Sequence, residues 1–449
     1  MVESYKKFIE SCRYVPIVLW AIPSDEFLHP CATDVSVVFI KQTTNNETYC
    51  VSFNHPDLTP VVDKKTFIDD LNKLREKKWV FDKKSFLQIL PVENLLDFNL
   101  WKHLKTGEVI DEELLETNAH RFIYRSKRDC GDLNKVVPLL KHKEVFEKIC
   151  DVYFKTDTNI LDSIFEKENE IVIETLAELE SNGIYVNRDK FLDVFGKEQG
   201  INIGINNNIV YTQYKPYHLS GRPSNTFNGI NYMALKKNDG TRSFIESRYG
   251  KNDGKLVLLD YKSYHPHLLS DIVDYKFEIS DAYLFLATKY FNKSYEQITK
   301  DDINLSKQLT FEMLYGGVKS EFLYIEFFRR FENYSDCLFQ EFNVCGCVET
   351  PIFHRKLKKM LLPDMTKNKL VNYILQSYET ERNMIIINNI NKILRDKKTK
   401  IILYQYDSIL LDFHKDDINI ISDIKHIMEY EKYPLSICIG DNFHDMIKL

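Results

Sequence analysis

Residues 255–269, KLVLLDYKSYHPHLL, and residues 401–413, IILYQYDSILLDF, decide how this chain is read. In each, an apolar run with the character of a buried strand delivers one aspartate, Asp260 or Asp407, to the point where the apolar pattern stops. Two such carboxylates side by side can hold two Mg²⁺ ions, an arrangement that clamps the attacking and leaving oxygens of an in-line phosphoryl displacement. An aspartate after a strand is more often a surface cap, and either one alone reads that way. The segments between and around them change the balance.

Between the two strands, a helical pattern starting near Asp302 carries Lys307, Phe311 and Tyr315, spaced by four and four and followed by Gly316 and Gly317. Residues four apart share a helix face, so a cation, an aromatic ring and a phenol line up on one side. Such a face can set an ammonium on a triphosphate and an aromatic ring against a sugar or base. Further helical patterns cover 281–291, 320–330 and 367–394, and a last helix leads into a strand at 435–439.

Upstream, residues 15–20, 35–40 and 48–53 are strand-like, with a turn at 45–47 between the second and third. Helical spacing over 64–77 precedes a short strand, Trp79-Val-Phe, and 124–135 reads as a basic loop. Residues 158–182 read as one long amphipathic helix stopped at Asn182-Gly183, followed by a second helix at 189–195. There is no internal repeat.

At 449 residues, 44% hydrophobic and 13% aromatic, the chain suits two or three packed domains. No run of 18 or more apolar residues occurs and MVESYKKFIESCR has no apolar signal core, so a soluble, cytoplasmic protein with no membrane contact is expected. Nine scattered cysteines, with Cys345-Gly-Cys347 lacking a second pair, favour free thiols over disulfides or zinc. The net charge of −6 makes any grip on a polyanion local, with 355–359 and 367–369 as the basic candidates.

The order of Ser220-Gly-Arg222-Pro-Ser, Asp260-Tyr261, Lys307 to Tyr315, Asn372 with Gln376, and Tyr406-Asp407 resembles the polymerase domain of family-A DNA polymerases. The resemblance implies an α/β and α+β chain: an RNase H-like N-terminal domain, 1–157, then a polymerase domain, 158–449, with an antiparallel palm sheet. Within the latter, 158–219 would hold a reduced thumb, 220–275 and 350–449 the palm, and 276–349 the fingers. It implies that Asp260, Asp407 and the backbone of Tyr261 bind two Mg²⁺ ions and that Lys307 binds the incoming deoxynucleoside triphosphate. Phe311 would pack on its sugar and Tyr315 would stand at the template base. Arg222, Asn372 and Gln376 would feel the minor groove of primer-template DNA. Arg355 is expected on phosphate from its basic run alone, and such a run is more often a solvated face.

The departures matter equally. An arginine expected four residues before Lys307 is Ile303; a glutamate that gates against ribose is His265; an arginine two further on is His267; and Tyr406-Asp407-Ser408 replaces His-Asp-Glu. His265 and His267 read equally as sugar gate or proton donor and as ordinary packing.

The N-terminal part resembles the proofreading exonuclease domain of the same family. Tyr153 with Asp157 has the form of its last motif and Asp82 could match its middle acid, but the first strand reads Leu19-Trp20-Ala21 where acids are needed. Substitution by Asp25-Glu26 from the loop is geometrically unsuited, so exonuclease activity is expected to be lost. The interval 187–219 is too short for a full thumb, which implies weak, distributive DNA binding unless a processivity partner supplies the clamp. The expected function is primer extension on DNA, in a phage or other mobile element. The alternative is a non-catalytic polymerase relic that binds nucleic acid or replisome proteins.

Overall fold

The computed structural model describes every residue except 1, 26–27, 45–47, 110–136, 154–162, 197–207 and 228. The turn at 45–47, the basic loop 124–135, Glu26 and Asp157 therefore lie outside the described residues. By its internal contacts the chain divides into two units, Met1–Ser181 and Asn182–Lys197 with Asn207–Leu449. The helix that the sequence assigned to the second domain thus belongs with the first unit.

In the first unit the apolar run IVLWAIP becomes β1 (Ile17–Pro23). It pairs antiparallel with β2 (Val35–Gln42), which pairs in turn with β3 (Thr48–Ser52), and parallel with β4 (Lys78–Val80), which pairs with β5 (Leu95–Asp97). The resulting order is β3-β2-β1-β4-β5. Every residue of β2 is buried, which is why VSVVFIKQ reads as a continuous run and not as an alternation. On one face Leu19, Val38 and Ile40 share a core with Phe67 and Leu71 of α1 (Lys64–Lys73). On the other, Trp20 and Phe39 stack on Phe146, with ring centroids 6.1 and 5.7 Å apart. Each fully buried side chain of this size contributes roughly 1.5–3 kcal/mol.

The expected long helix, α2, is helical from 163 to 181, but its turn Glu168–Ile173 is a π-helix. The wide turn goes with a buried Asn169, whose Nδ2 donates to the Leu95 carbonyl at 3.0 Å and whose Oδ1 accepts from the Asp97 N–H at 2.9 Å. The Asn169 carbonyl is taken by Lys83 Nζ at 3.0 Å. A π turn gives up regular helix bonds, and here β5 and Lys83 provide replacements.

The second unit is organised on β6 (Gly254–Tyr261), GKLVLLDY, flanked on both sides by antiparallel partners. With β7 (Lys400–Tyr404), β8 (Ser408–His414), β9 (Leu435–Gly440) and β10 (Met446–Lys448) it forms an antiparallel sheet of order β7-β8-β6-β9-β10. After β6 come α4 (Tyr264–Ile272), α5 (Ala282–Phe291), α6 (Lys300–Gly316), α7 (Glu326–Cys345) and α8 (Lys367–Leu394). The sequence placed a helix at 320–330; instead a short 3₁₀ turn precedes α7, which Phe327, Phe328, Phe331, Leu338 and Phe342 bury along one side and which Gly346 ends in a left-handed cap. Helix α6 starts in a capping box. Thr299 Oγ1 accepts from the Asp302 N–H at 3.2 Å, and Asp302 Oδ2 accepts from the Thr299 N–H at 2.9 Å.

In the interval 187–219 the described residues carry one eight-residue helix, α3 (Arg188–Phe195), and two short strands, Ile209–Val210 and Tyr214–Lys215. Among the described residues no helix is long and apolar enough to cross a membrane.

Candidate active site

The sheet brings the two aspartates together. Asp260 pairs with Ser408 across β6 and β8, and Asp407 is the residue before that partner, in the three-residue connection Gln405 to Asp407 between β7 and β8. The Gln405 N–H donates to the Ser408 carbonyl at 2.9 Å to close the turn, and the Tyr261 N–H donates to the Asp407 carbonyl at 2.9 Å. Tyr406 sits in the turn at φ +62° and Ser263, which opens α4, at φ +51°. Left-handed backbone at residues with a Cβ costs about 1–2 kcal/mol each, and here it flanks both carboxylates. Asn383 Nδ2 donates to the Tyr406 carbonyl and holds the turn in this conformation.

Burial and the neighbouring carboxylates of Asp260 and Glu379 push Asp407 up to about 6. Asp260 is also raised, by burial, against the opposing charges of Lys237, Lys307 and Arg242. Both shifts come first from taking a carboxylate out of water, and at Asp407 the two neighbouring carboxylates add to it. A divalent cation is what such a donor set fits, with Asp260, Asp407 and the backbone of Tyr261 as the groups that would hold it.

A cavity of about 690 Å³ opens on these aspartates, and Lys307, Phe311 and Tyr315 line it from α6, as Arg222, His265 and Gln376 do from elsewhere in the unit. Phe311 and Tyr315 stack with ring centroids 5.6 Å apart and 11° between planes, and Lys307 Nζ lies 5.8 Å from the Phe311 centroid. The helix face read from the four-residue spacing is therefore a wall of one cavity. His265 Nδ1 is hydrogen-bonded to the Tyr315 hydroxyl, and its Nε2 lies 3.0 Å from Glu379 Oε1. His267 turns away from this cavity, its Nε2 bonded to the Ser280 carbonyl at 3.0 Å.

Arg355 and Asn372 do not line this cavity. Arg355 is buried; its Nη1 donates to the His218 carbonyl at 2.8 Å and its guanidinium lies against Gly221, so it braces the loop that presents Arg222. Asn372 lies one helical turn before Gln376, with its Oδ1 buried and unpartnered, as is Arg222 Nε. In the other basic run, Lys367 is engaged by Glu332 at 2.6 Å and Asp336 at 2.8 Å.

Sequence reasoning missed Lys237, Tyr283 and Glu379, all of which line the cavity. Lys237 sits in a loop without a pattern to mark it. Glu379 did carry a signal: it begins a run of five polar residues, ETERN, in the middle of a 28-residue helix, with Ile374-Leu375 shortly before it and Met384 to Ile387 directly after. Each member of that run is buried, so the helix was telling of polar partners inside the fold.

In the first unit, the strand position where acids would be required holds Leu19, fully buried, and Trp20, stacked on Phe146. Asp82 caps the helix Lys83–Ile89, accepting from the Ser85 N–H at 3.1 Å and Oγ at 2.6 Å. Among the described residues no group of three or more His, Cys, Asp or Glu side chains is arranged to hold a metal.

No family model matches the sequence, and no curated protein matches it. The structure is similar to a solved one, described as the POL domain of Pol1 from M. smegmatis in complex with DNA primer-template and dNTP. The TM-score is 0.71, over 98% of this chain and 97% of that chain, at 12% sequence identity. The chain has a polymerase-domain fold. Identity this low carries the architecture alone, so the chemistry rests on this chain's own residues.

Proposed function

We propose that this chain is a DNA-templated DNA polymerase that adds deoxynucleotides to a primer 3′ end. The observation that carries the reading is convergence: two strand-borne aspartates and the Lys307, Phe311, Tyr315 face line one cavity in a polymerase-domain fold. The neighbour's DNA and dNTP are the partners such a cavity suits.

In this reading Asp260 and Asp407 hold two Mg²⁺ ions with the backbone of Tyr261. When bound, the ions supply Lewis-acid stabilisation of charge on the transferring phosphoryl group. Lys307, exposed at the cavity and with no ion pair among the described residues, binds the triphosphate and neutralises charge on the departing pyrophosphate. Lys237 takes the part of the second cation that Ile303 cannot supply. Phe311 and Tyr315 present flat apolar surface to sugar and template base, and Arg222 and Gln376 border the nascent pair. The orphaned Asn372 Oδ1 and Arg222 Nε are polar groups of the kind that a bound duplex would satisfy, each costing about 1–3 kcal/mol while unpaired.

The first unit is read as a proofreading domain that has lost its acids, its β1 given over to packing. The short interval 187–219 and the net charge of −6 favour weak, distributive engagement of the duplex, with processivity left to a partner. A cytoplasmic role in the replication of a phage or other mobile element accords with this economy.

Extension of a labelled primer on a DNA template with all four deoxynucleotides and Mg²⁺, by the native chain and by Asp407→Asn, tests the reading. Extension that disappears in the variant is expected. Primer-template binding without extension by either chain would instead point to a polymerase-derived scaffold.

A further inference from the structure

Glu379 lines the cavity, and the chemistry above does not use it. Its side chain is 1% exposed on α8. Oε1 lies 3.0 Å from His265 Nε2, and Oε2 lies 3.1 Å from Arg222 Nη2 as a charge contact without a directed hydrogen bond. Burying an ionised carboxylate costs several kcal/mol unless its partners compensate, and here both partners are themselves walls of the cavity. The fold does not need these contacts to dock α8 on α4. That joint is already made by the Tyr264 hydroxyl on Asn383 at 2.6 Å and Arg382 Nη1 on the Tyr264 hydroxyl at 2.8 Å.

The direction of the bonds follows from what each group can do. A carboxylate only accepts, so His265 Nε2 carries the proton, and in the neutral ring Nδ1 is left to accept from the Tyr315 hydroxyl. Glu379 thereby fixes the orientation of His265 and, through it, of Tyr315 on α6. Its other oxygen draws Arg222, whose guanidinium carbon lies 3.6 Å above the ring centroid of Tyr406, the residue next to Asp407. One buried carboxylate restrains groups from α4, α6 and the 220–222 loop at once.

We propose that Glu379 is the positioning residue of this site: it presets His265, Tyr315 and Arg222 so that the incoming nucleotide and the primer terminus meet a wall already in place. The role rests on the polymerase reading. It differs from a structural one, because what it sets is ring orientation and proton placement.

The test uses the full chain, with Glu379→Ala and Glu379→Gln, and two readouts. The first is the ring ¹⁵N spectrum of the ligand-free protein, with His265 assigned by its loss in His265→Gln. In the native chain His265 is expected in the Nε2–H form; Glu379→Ala loses that fixed form, and Glu379→Gln keeps it, since the glutamine carbonyl still accepts. The second is primer extension, in which Glu379→Ala raises the nucleotide KM about 10-fold or more with a smaller change in kcat, and Glu379→Gln recovers most of the loss. A native His265 in the Nδ1–H form, or one unchanged in Glu379→Ala, overturns the proposal, and the former needs no variant to fold. If the native chain extends no primer, the polymerase reading fails by itself while the spectrum still decides whether Glu379 positions His265.

Discussion

Asp407→Asn is expected to stabilise the ligand-free chain while abolishing its activity. Asp407 is held at about 6, against an ordinary 3.8, by burial first and then by Asp260 and Glu379. A rise of this size corresponds to roughly 3 kcal/mol against the ionised form. That figure is an upper bound, because the side chain stays open to cavity water although protein surrounds it on its other sides. Screening reduces the penalty to about 1 kcal/mol. Since the folded value lies above the unfolded one, the penalty is absent below pH 4, grows between pH 4 and 6 as only the unfolded state ionises, and is constant above. The asparagine variant, which never ionises, should match the native chain near pH 4 and exceed it at pH 8 by about 1 kcal/mol, or about 2–4 °C in the melting of the second unit. All three tryptophans, Trp20, Trp79 and Trp101, lie in the first unit. A shift in the far-ultraviolet circular dichroism transition that the tryptophan emission does not share would therefore locate the effect in the second. The measurement is made in EDTA and repeated with Mg²⁺, which should raise the native chain and close the gap, because a cation bound by the folded state offsets the same repulsion. A variant less stable than the native chain at pH 8 in EDTA would refute the argument that the ionised Asp407 is a cost to the folded state.

Two predictions concern the first unit and are read by tryptophan emission. Glu180→Leu removes the partner of Lys84 Nζ, 2.8 Å away with both side chains almost wholly buried, and should cost about 3–5 kcal/mol; a loss under 1 kcal/mol in urea unfolding would mean that the lysine finds water or another acceptor. His142 is buried beside Trp20 and His55, with ring centroids at 6.2 and 6.5 Å, and burial followed by the charge of His55 lowers it from 6.5 to about 4. Its contribution is complete above pH 6.5 and lost as pH falls toward 4, on the order of 3 kcal/mol, so His142→Phe should flatten the acid limb of the stability curve, and an unchanged limb would show that another group governs it.

What was legible in the sequence was legible because it is local. The apolar run 256–259 leads directly into Asp260, and the run 401–404 is followed three residues on by Asp407, and both orderings are facts about neighbouring residues. The four-residue spacing of Lys307, Phe311 and Tyr315 is likewise fixed by helix geometry, so their common wall needed no tertiary information. Arg355 shows the opposite case. A basic run, RKLKK, looks the same whether its arginine faces solvent or braces a loop 137 residues away in sequence, and the structure selects the second. Glu379 is the harder instance. Its bond to His265 spans 114 residues, and local spacing is silent on a pairing of that range. Yet the run that contains it was visible: five polar residues in succession go right round a helix, so in one that buries Ile374, Leu375 and Met384 they cannot all face water. Such a run demands partners, and partners for a buried acid are cations or donors that some other element must surrender. The groups that attract a substrate announce themselves by type and spacing, whereas those that hold them still are visible only as a local cost. In this chain that cost falls at Glu379, at the left-handed Tyr406 and at the raised Asp407, all of which border one cavity.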